Sequence, residues 1–178
     1  MIRNVTPDDG AAISAIYNHY VEQSDISFEE VAVTPQEMAA RITSISDRYP
    51  WVVFCEGEQV LGYAYASAWK SRAAYRYSVE TSVYLAPSAR GRNLGTELYR
   101  ELLPRLREAG YHTAVACISL PNAASIHLHE KMGFSKVAHF KEVGFKREKW
   151  IDIGYWQLSL SRVRPHLSGE SMAEPALE

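Results

Sequence analysis

Ser82-Val83-Tyr84-Leu85-Ala86-Pro87-Ser88-Ala89-Arg90-Gly91-Arg92-Asn93-Leu94-Gly95-Thr96-Glu97-Leu98-Tyr99 carries a β-rich run into a proline, then a short basic loop, then an amphipathic helix. The first N–H groups of a helix lack intrahelical partners, and the helix dipole favours negative charge there. After a strand and a loop of small residues, such a terminus seats phosphate. Arg90 and Arg92 add positive charge. The turn is therefore expected to hold a phosphorylated ligand. Its wording fits neither G-x-x-x-x-G-K-[ST] nor G-x-G-x-x-G. By itself the pattern also suits an ordinary strand–turn–helix with exposed arginines, so the rest of the chain has to decide.

Upstream, residues 77–85 alternate. Tyr77, Val79, Val83 and Leu85 are apolar, with Thr81 as the exception, while Ser78, Glu80, Ser82 and Tyr84 are polar or amphipathic. This marks a half-buried strand with a second, functional face. Downstream, Leu94, Leu98, Leu102 and Leu106, with Leu103 beside them, form the core stripe of a helix over 93–109, and Gly110 ends it. Thr113–Ile118 is the next strand. Asn122 caps a short helix that runs to about Met132 and ends at Gly133, and two last strands cover about 135–142 and 150–160.

Towards the N-terminus, Met1–Val5 reads as a strand. Thr6-Pro7-Asp8-Asp9 starts a helix bearing Ile13, Ile16, Tyr17, Tyr20 and Val21. Thr34-Pro35-Gln36-Glu37 opens another in capping-box register. Residues 49–56 and 59–67 form a hairpin across Gly57-Glu58. The order β-α-α-β-β-β-α-β-α-β-β predicts one α/β domain around a mixed sheet. Residues 1–163 read as that domain and 164–178 as a flexible tail without periodicity.

The bulk properties agree. The chain has 178 residues, 47% hydrophobic and 22% charged, with a net charge of −2. That size suits one domain. The charge argues against nucleic acid as the main partner, and no apolar run is long enough for a membrane span. Cys55 and Cys117 sit in apolar runs and read as reduced packing groups. With no signal peptide in evidence, a cytoplasmic protein is expected by default.

The 90–95 loop resembles the R/Q-x-x-G-x-G/A loop of the GNAT superfamily of acyl-CoA N-acyltransferases, with Arg90 first and Gly95 last. Asn93 stands where the first glycine usually stands. It tolerates left-handed backbone better than most residues. Asn122-Ala-Ala-Ser125-Ile-His-Leu-His129-Glu-Lys-Met-Gly-Phe134 resembles the family's N-x-x-(A/S)-x-x-L-Y-x-(K/R)-x-G-F, with His129 in the tyrosine slot. The resemblance covers residues 1–161 and implies the GNAT fold: a mixed, mostly antiparallel twisted sheet flanked by helices. It implies acetyl-CoA as co-substrate, held by Val83, Tyr84, Leu85, Arg90, Gly91, Arg92, Asn93, Leu94, Gly95, Thr96, Asn122 and Ser125. An oxyanion-stabilising N–H near Ser82–Tyr84 would be freed by a local bulge. No metal is expected.

Acetylating an amine requires a base, because an ammonium is not a nucleophile. Glu80 is the only acid of its strand, lies on the polar face and leads straight to the loop. It is the expected base, although a surface carboxylate is the ordinary alternative. His129 would give or take a proton, whereas His127, two residues away, reads as solvated.

Further segments are similar to phosphinothricin and methionine-sulfoximine N-acetyltransferases: Ser27-Phe28-Glu29, Thr34-Pro35-Gln36-Glu37, Arg48-Tyr49-Pro50-Trp51, residues 69–75, Val79-Glu80, Leu128-His129-Glu130, Gly144-Phe145-Lys146, and Trp150 with Gly154-Tyr155-Trp156-Gln157. A small amino-acid substrate follows from that likeness. Arg72 would anchor an anionic group, Lys70 and Tyr75 would assist, and Phe28 would wall the methylene chain. The alternatives are a solvated loop for Lys70 and Arg72, and packing for Tyr75 and Phe28. Trp150 and Trp156 are assigned to packing. A homodimer is implied by relatives of this type. Two other readings stay open: an aminoglycoside or polyamine acetyltransferase, and a non-catalytic acyl-CoA-binding module on the same fold. Acetyl transfer is expected to be direct, with no cysteine intermediate.

Overall fold

A computed structural model describes residues 1–160; the expected 164–178 tail lies outside the described residues. The elements are β1 (Ile2–Asn4), α1 (Gly10–Gln23), α2 (Pro35–Ser46), β2 (Trp51–Glu56), β3 (Gln59–Ala68), β4 (Ser78–Leu85), α3 (Leu94–Glu108), β5 (Thr113–Leu120), α4 (Ala123–Lys131), β6 (Ser135–Lys146) and β7 (Lys149–Ser159). Their order is the one read from the sequence. Thr34 caps α2 in a full capping box with Glu37. At α1 the Thr6–Asp9 box instead closes a 3-10 turn, Pro7–Asp9, that feeds the helix. Of the last two strands, β6 runs four residues further than expected, to Lys146, and β7 starts one residue earlier, at Lys149. They meet at Arg147-Glu148, which turns at φ 53° and 60° without a glycine.

The sheet order is β1-β2-β3-β4-β5-β7-β6. β4 and β5 are its one parallel pair among the described residues, and the other neighbours are antiparallel. Alternation along β2 sends Val52 to one face and Trp51 and Val53 to the other. The first face packs against α3 through Leu98, Tyr99, Leu102 and Leu106, each fully buried. The second packs against α1 and α2 through Ile13, Ile16, Tyr20, Met38 and Ile42.

Glu80 and His129 both owe their positions to where β4 and β5 part. The strands are in register only at Ser78↔Thr113, Val79↔Ala114 and Glu80↔Val115. Beyond that point β4 stays with β3 while β5 continues along β7. The sheet is therefore split down the middle over residues 81–85.

Candidate active site

The split exposes backbone. The Tyr77 carbonyl accepts from the N–H groups of His112 and Thr113, so the odd residues of β4 direct their main-chain groups towards β5. Val83 and Leu85 thus present N–H and C=O groups to the gap. Tyr20, at the end of the α1 stripe, donates its hydroxyl to the Leu85 carbonyl at 2.6 Å. Two expectations are corrected here. The β3–β4 register runs unbroken from Gly62↔Leu85 to Ala68↔Val79, so the backbone is freed by splaying and not by a bulge. Tyr84 and Ser82 turn their main chains to β3, which leaves Val83 as the free N–H in that stretch. The Tyr84 ring points to the opposite face, against Tyr17 and Tyr63.

At the end of β4 the main chain makes a nest. Among the described residues, none of the five consecutive N–H groups of Gly91, Arg92, Asn93, Leu94 and Gly95 has a hydrogen-bond acceptor. Gly91 has φ 75°, and Asn93, N-cap of α3, sits at φ 62° and ψ 10°. Asn93 adopts the left-handed conformation its type suggested. Its Oδ1 accepts from Lys131 Nζ at 3.0 Å, which brings to the nest a cation the sequence reading missed. Arg90 lies over the Tyr20 ring and lines the channel. Gly95 packs on Leu128: a Cβ there would lie 3.0 Å from its side chain. Consecutive unpaired N–H groups at a helix N-terminus are a diphosphate seat in geometry and charge, so the residues present fit the coenzyme.

Three loop residues behave otherwise than expected. Arg92 is drawn away to an ion pair with Glu56 at the end of β2. The Thr96 N–H is spent on the Asn93 carbonyl and its side chain is buried. The Leu94 side chain packs with Leu61 and Ala89, so only its N–H is free to bind.

Three cavities that share wall residues run from this nest across the split in the sheet. A channel of about 330 Å³ is lined by Tyr20, Val83, Leu85, Arg90, Gly91, Gly95, Asn122 and Ser125 among others. It meets a constriction of about 50 Å³ in the split, bounded by Thr81, Val83, Cys117, Asn122, Ser125 and His129. Beyond lies a cavity of about 730 Å³ whose walls include Ile26, Phe28, Glu29, Tyr65, Glu80, Ser82, Tyr84, Cys117, Phe140 and Tyr155. Phe140 and Tyr155, in edge contact at 5.6 Å, also border a further cavity of about 440 Å³ with Trp69, Lys70 and Tyr75.

Glu80 is half-buried on the wall of the large cavity. Burial raises its pKa, and the positive charge of Lys70 works in the opposite direction. His129 is buried at 3% exposure. Its Nδ1 is 2.7 Å from the Ser125 carbonyl. A carbonyl only accepts, so Nδ1 carries the proton. Nε2 lies 2.8 Å from the Tyr99 hydroxyl, which reaches on to Thr81 Oγ1 at 3.2 Å. Burial lowers the His129 pKa and favours the neutral ring, to which Tyr99 donates. The ring can also take a proton, since Nε2–H then donates to Tyr99 while Tyr99 donates to Thr81. Ser125 Oγ, 3.3 Å from Nδ1, stands between the imidazole and the channel. Asn122 caps α4 through the Ser125 N–H, and its residue borders the channel.

The predicted acceptor-side residues divide. Phe28 lines the large cavity with Glu80. Lys70 and Tyr75 line the adjoining one. Arg72 is exposed in the loop before the 73–75 turn, and the structure does not bring it to these walls. Cys117 is exposed along the cavity and is not the buried packing group its apolar neighbours suggested; the surrounding protein pushes its thiol pKa up. Trp156 is buried, with Nε1 donating to Glu130, whereas Trp150 is 64% exposed. His127 is exposed, as expected.

A split β4–β5 pair with an N–H nest at the following helix is the architecture of an acyl-CoA-dependent acyltransferase. Residues 2–154 match the family model described as acetyltransferase (GNAT) domain. A phosphinothricin N-acetyltransferase of Streptomyces viridochromogenes is 40% identical over 156 residues, which is 88% of this chain and 85% of that protein. An L-methionine sulfoximine/L-methionine sulfone acetyltransferase of Salmonella typhimurium is 38% identical over 160 residues, 89% of this chain and 94% of that one. The crystal structure of a GNAT superfamily phosphinothricin acetyltransferase from Sinorhizobium meliloti, in complex with acetyl-CoA, superposes with a TM-score of 0.86 at 37% identity. It covers 89% of this chain and 87% of its own. The chain belongs to the GNAT acetyltransferase family and is an N-acetyltransferase.

Proposed function

We propose that the chain transfers the acetyl group of acetyl-CoA to the α-amino group of a small amino acid or analogue of the phosphinothricin or methionine-sulfoximine type. The run of cavities from the N–H nest across the β4–β5 split to Glu80 carries this reading. Its walls suit a diphosphate at the nest, a pantetheine arm in the largely apolar channel and a thioester at the constriction. The relatives' named substrates supply the acceptor class.

The walls fit such an acceptor. Glu29 is neutralised by Arg41 at 2.6 and 3.0 Å and also accepts from Tyr17. Among the described residues, Glu80 is therefore the one carboxylate on the cavity wall without such a cation contact, with Lys70 in the adjoining cavity. One ammonium near Glu80 and one anionic group towards Lys70 describe an amino acid better than a polyamine. Ile26, Phe28, Phe140 and Val143 provide apolar surface for a short chain.

The chemistry then follows from the chain's own groups. Glu80 takes the first amine proton, and its raised pKa makes it a stronger base than an ordinary carboxylate. The Val83 N–H faces the gap where the carbonyl oxygen gains charge. The second proton of the nitrogen passes to the departing sulfur through the Ser125 hydroxyl, which takes it up as it gives up its own, with the His129 Nδ1 group beside that hydroxyl backing the relay. The Cys117 thiol, held protonated, is a poor nucleophile, so transfer is direct.

A thiol-release assay with acetyl-CoA tests this reading against phosphinothricin, methionine sulfoximine, methionine sulfone, common amino acids, spermidine and an aminoglycoside. Turnover confined to the amino acids is expected, with intersecting initial-rate lines. Preference for the polycations, parallel lines, or an acetylated cysteine trapped in the protein would count against it.

The pH profile provides a second check. Activity requires ionised Glu80, so kcat/KM should rise with pH along a limb set by this carboxyl, above the usual carboxylate range. Lys70 favours the ionised form, so Lys70→Met should move the limb to higher pH. A shift to lower pH, or none, would remove Glu80 as the titrating base.

A further inference from the structure

The large cavity is closed on one side by a segment with no regular structure of its own. Residues 26–29, in the loop after α1, supply Ile26, Ser27, Phe28 and Glu29 to its wall. α1 and α2 hold its far end, through Tyr17 and Arg41 on Glu29, and β6 holds the stretch from Ile26 to Phe28. Lys146 is only 4% exposed, and its Nζ donates to the Val21 carbonyl at 2.7 Å and to the Ser27 carbonyl at 2.6 Å. No carboxylate forms an ion pair with it among the described residues. Asp25, Glu30 and Arg147 act on it only at a distance. A buried ammonium is costly unless its donors are satisfied. Here two of its three donors are met, one by the last turn of α1, where the helix dipole is negative, and one by the loop itself.

Two residues earlier, Gly144 forms the seat for the same loop. A Cβ at Gly144 would lie 2.1 and 2.4 Å from ring atoms of Phe28, so the ring rests directly on the β6 backbone. Ser27 Oγ is held by the Tyr17 hydroxyl at 2.8 Å, and Arg147 donates to the Glu22 carbonyl at 2.9 Å. Of the four wall residues, only Ile26 also reaches the constriction and the channel. The fastening therefore acts chiefly on the cavity and leaves the 90–95 nest alone.

We propose that Lys146, with Gly144 as the seat for Phe28, is a positioning residue that sets acceptor binding and specificity by clamping the 26–29 wall to β6. The inference rests on the reading of this cavity as the acceptor site. Removing the ammonium frees the loop and spreads the wall over several geometries, which weakens acceptor binding while the donor side keeps its shape.

Lys146→Met should raise the acceptor KM at least tenfold, with acetyl-CoA Kd by calorimetry changed less than threefold. Amide hydrogen exchange at residues 24–30 should speed up at least tenfold, and exchange in α3 should not change. An unaltered KM and exchange pattern, or a parallel loss of acetyl-CoA binding, would overturn the proposal. If Lys146→Met does not fold, Gly144→Ala takes its place. Its methyl pushes Phe28 off its seat and should reduce discrimination between methionine sulfone and alanine at least tenfold, and unchanged discrimination would overturn the proposal equally. If the wild-type protein acetylates no amino acid, the acceptor reading falls, and hydrogen exchange at residues 24–30 decides the clamp by itself.

Discussion

Glu80→Gln should lower kcat by about 100- to 1000-fold while leaving acetyl-CoA binding within a factor of two. The substitution keeps the size of the side chain and removes its basicity. General-base catalysis is worth roughly 10²–10⁴ in rate, or about 3–5 kcal/mol of barrier. The upper end is not expected, because an amino acid at high pH already offers some free amine. Glu80 borders the acceptor cavity and not the channel where the coenzyme would lie, so the donor affinity has no reason to move. The rate deficit should also shrink as pH rises, because solvent then performs the deprotonation. A loss of acetyl-CoA affinity as large as the loss of turnover would make Glu80 a structural carboxylate.

The second large effect concerns the loop. Gly91→Val should weaken acetyl-CoA binding by about 10- to 100-fold, measured by calorimetry, without lowering the melting temperature by more than a few degrees. Gly91 has φ 75°. A β-branched residue held there costs on the order of 1–3 kcal/mol. A mobile loop can escape that cost by changing shape, which turns some of the five N–H groups away from a common point. A Cβ at Gly91 meets nothing within 4 Å, so any loss comes from conformation and not from a clash. Asn93→Gly is the control. It keeps the left-handed backbone and restores the residue usual in the family loop, so affinity should hold or improve. Equal losses in both variants would assign the role to the Asn93–Lys131 contact and not to the backbone.

Local chemistry was legible in the sequence. The Thr34–Glu37 box, the Leu94–Leu106 stripe, the left-handed Asn93 and the element order all depend on neighbours within a few residues, and all appear in the structure. Long-range partnerships were not. Arg92 reads as a phosphate ligand beside Arg90, yet Glu56, 36 residues away, captures it. Tyr20 reads as one more core residue of an apolar stripe, yet its hydroxyl satisfies a carbonyl left open by the split sheet. Tyr99 sits in a leucine stripe, and nothing in its spacing shows that its hydroxyl meets His129. The split itself leaves no mark in the periodicity of β4, because a strand that loses one neighbour keeps its alternation. Lys146 falls beyond the predicted end of the sixth strand, and nothing in its neighbours marks it as buried. Only the return of β6 onto the end of α1 buries it.

The central claim is that the diphosphate of acetyl-CoA rests on the main-chain donors of Gly91 to Gly95. Amide nuclear magnetic resonance on labelled protein titrated with acetyl-CoA tests it most directly, because an N–H that begins to donate to phosphate moves strongly downfield. Such shifts at residues 91–95, saturating with the calorimetric Kd, are the expected result. Saturable binding that leaves these five amides unmoved, or no binding at all to the folded protein, would contradict it.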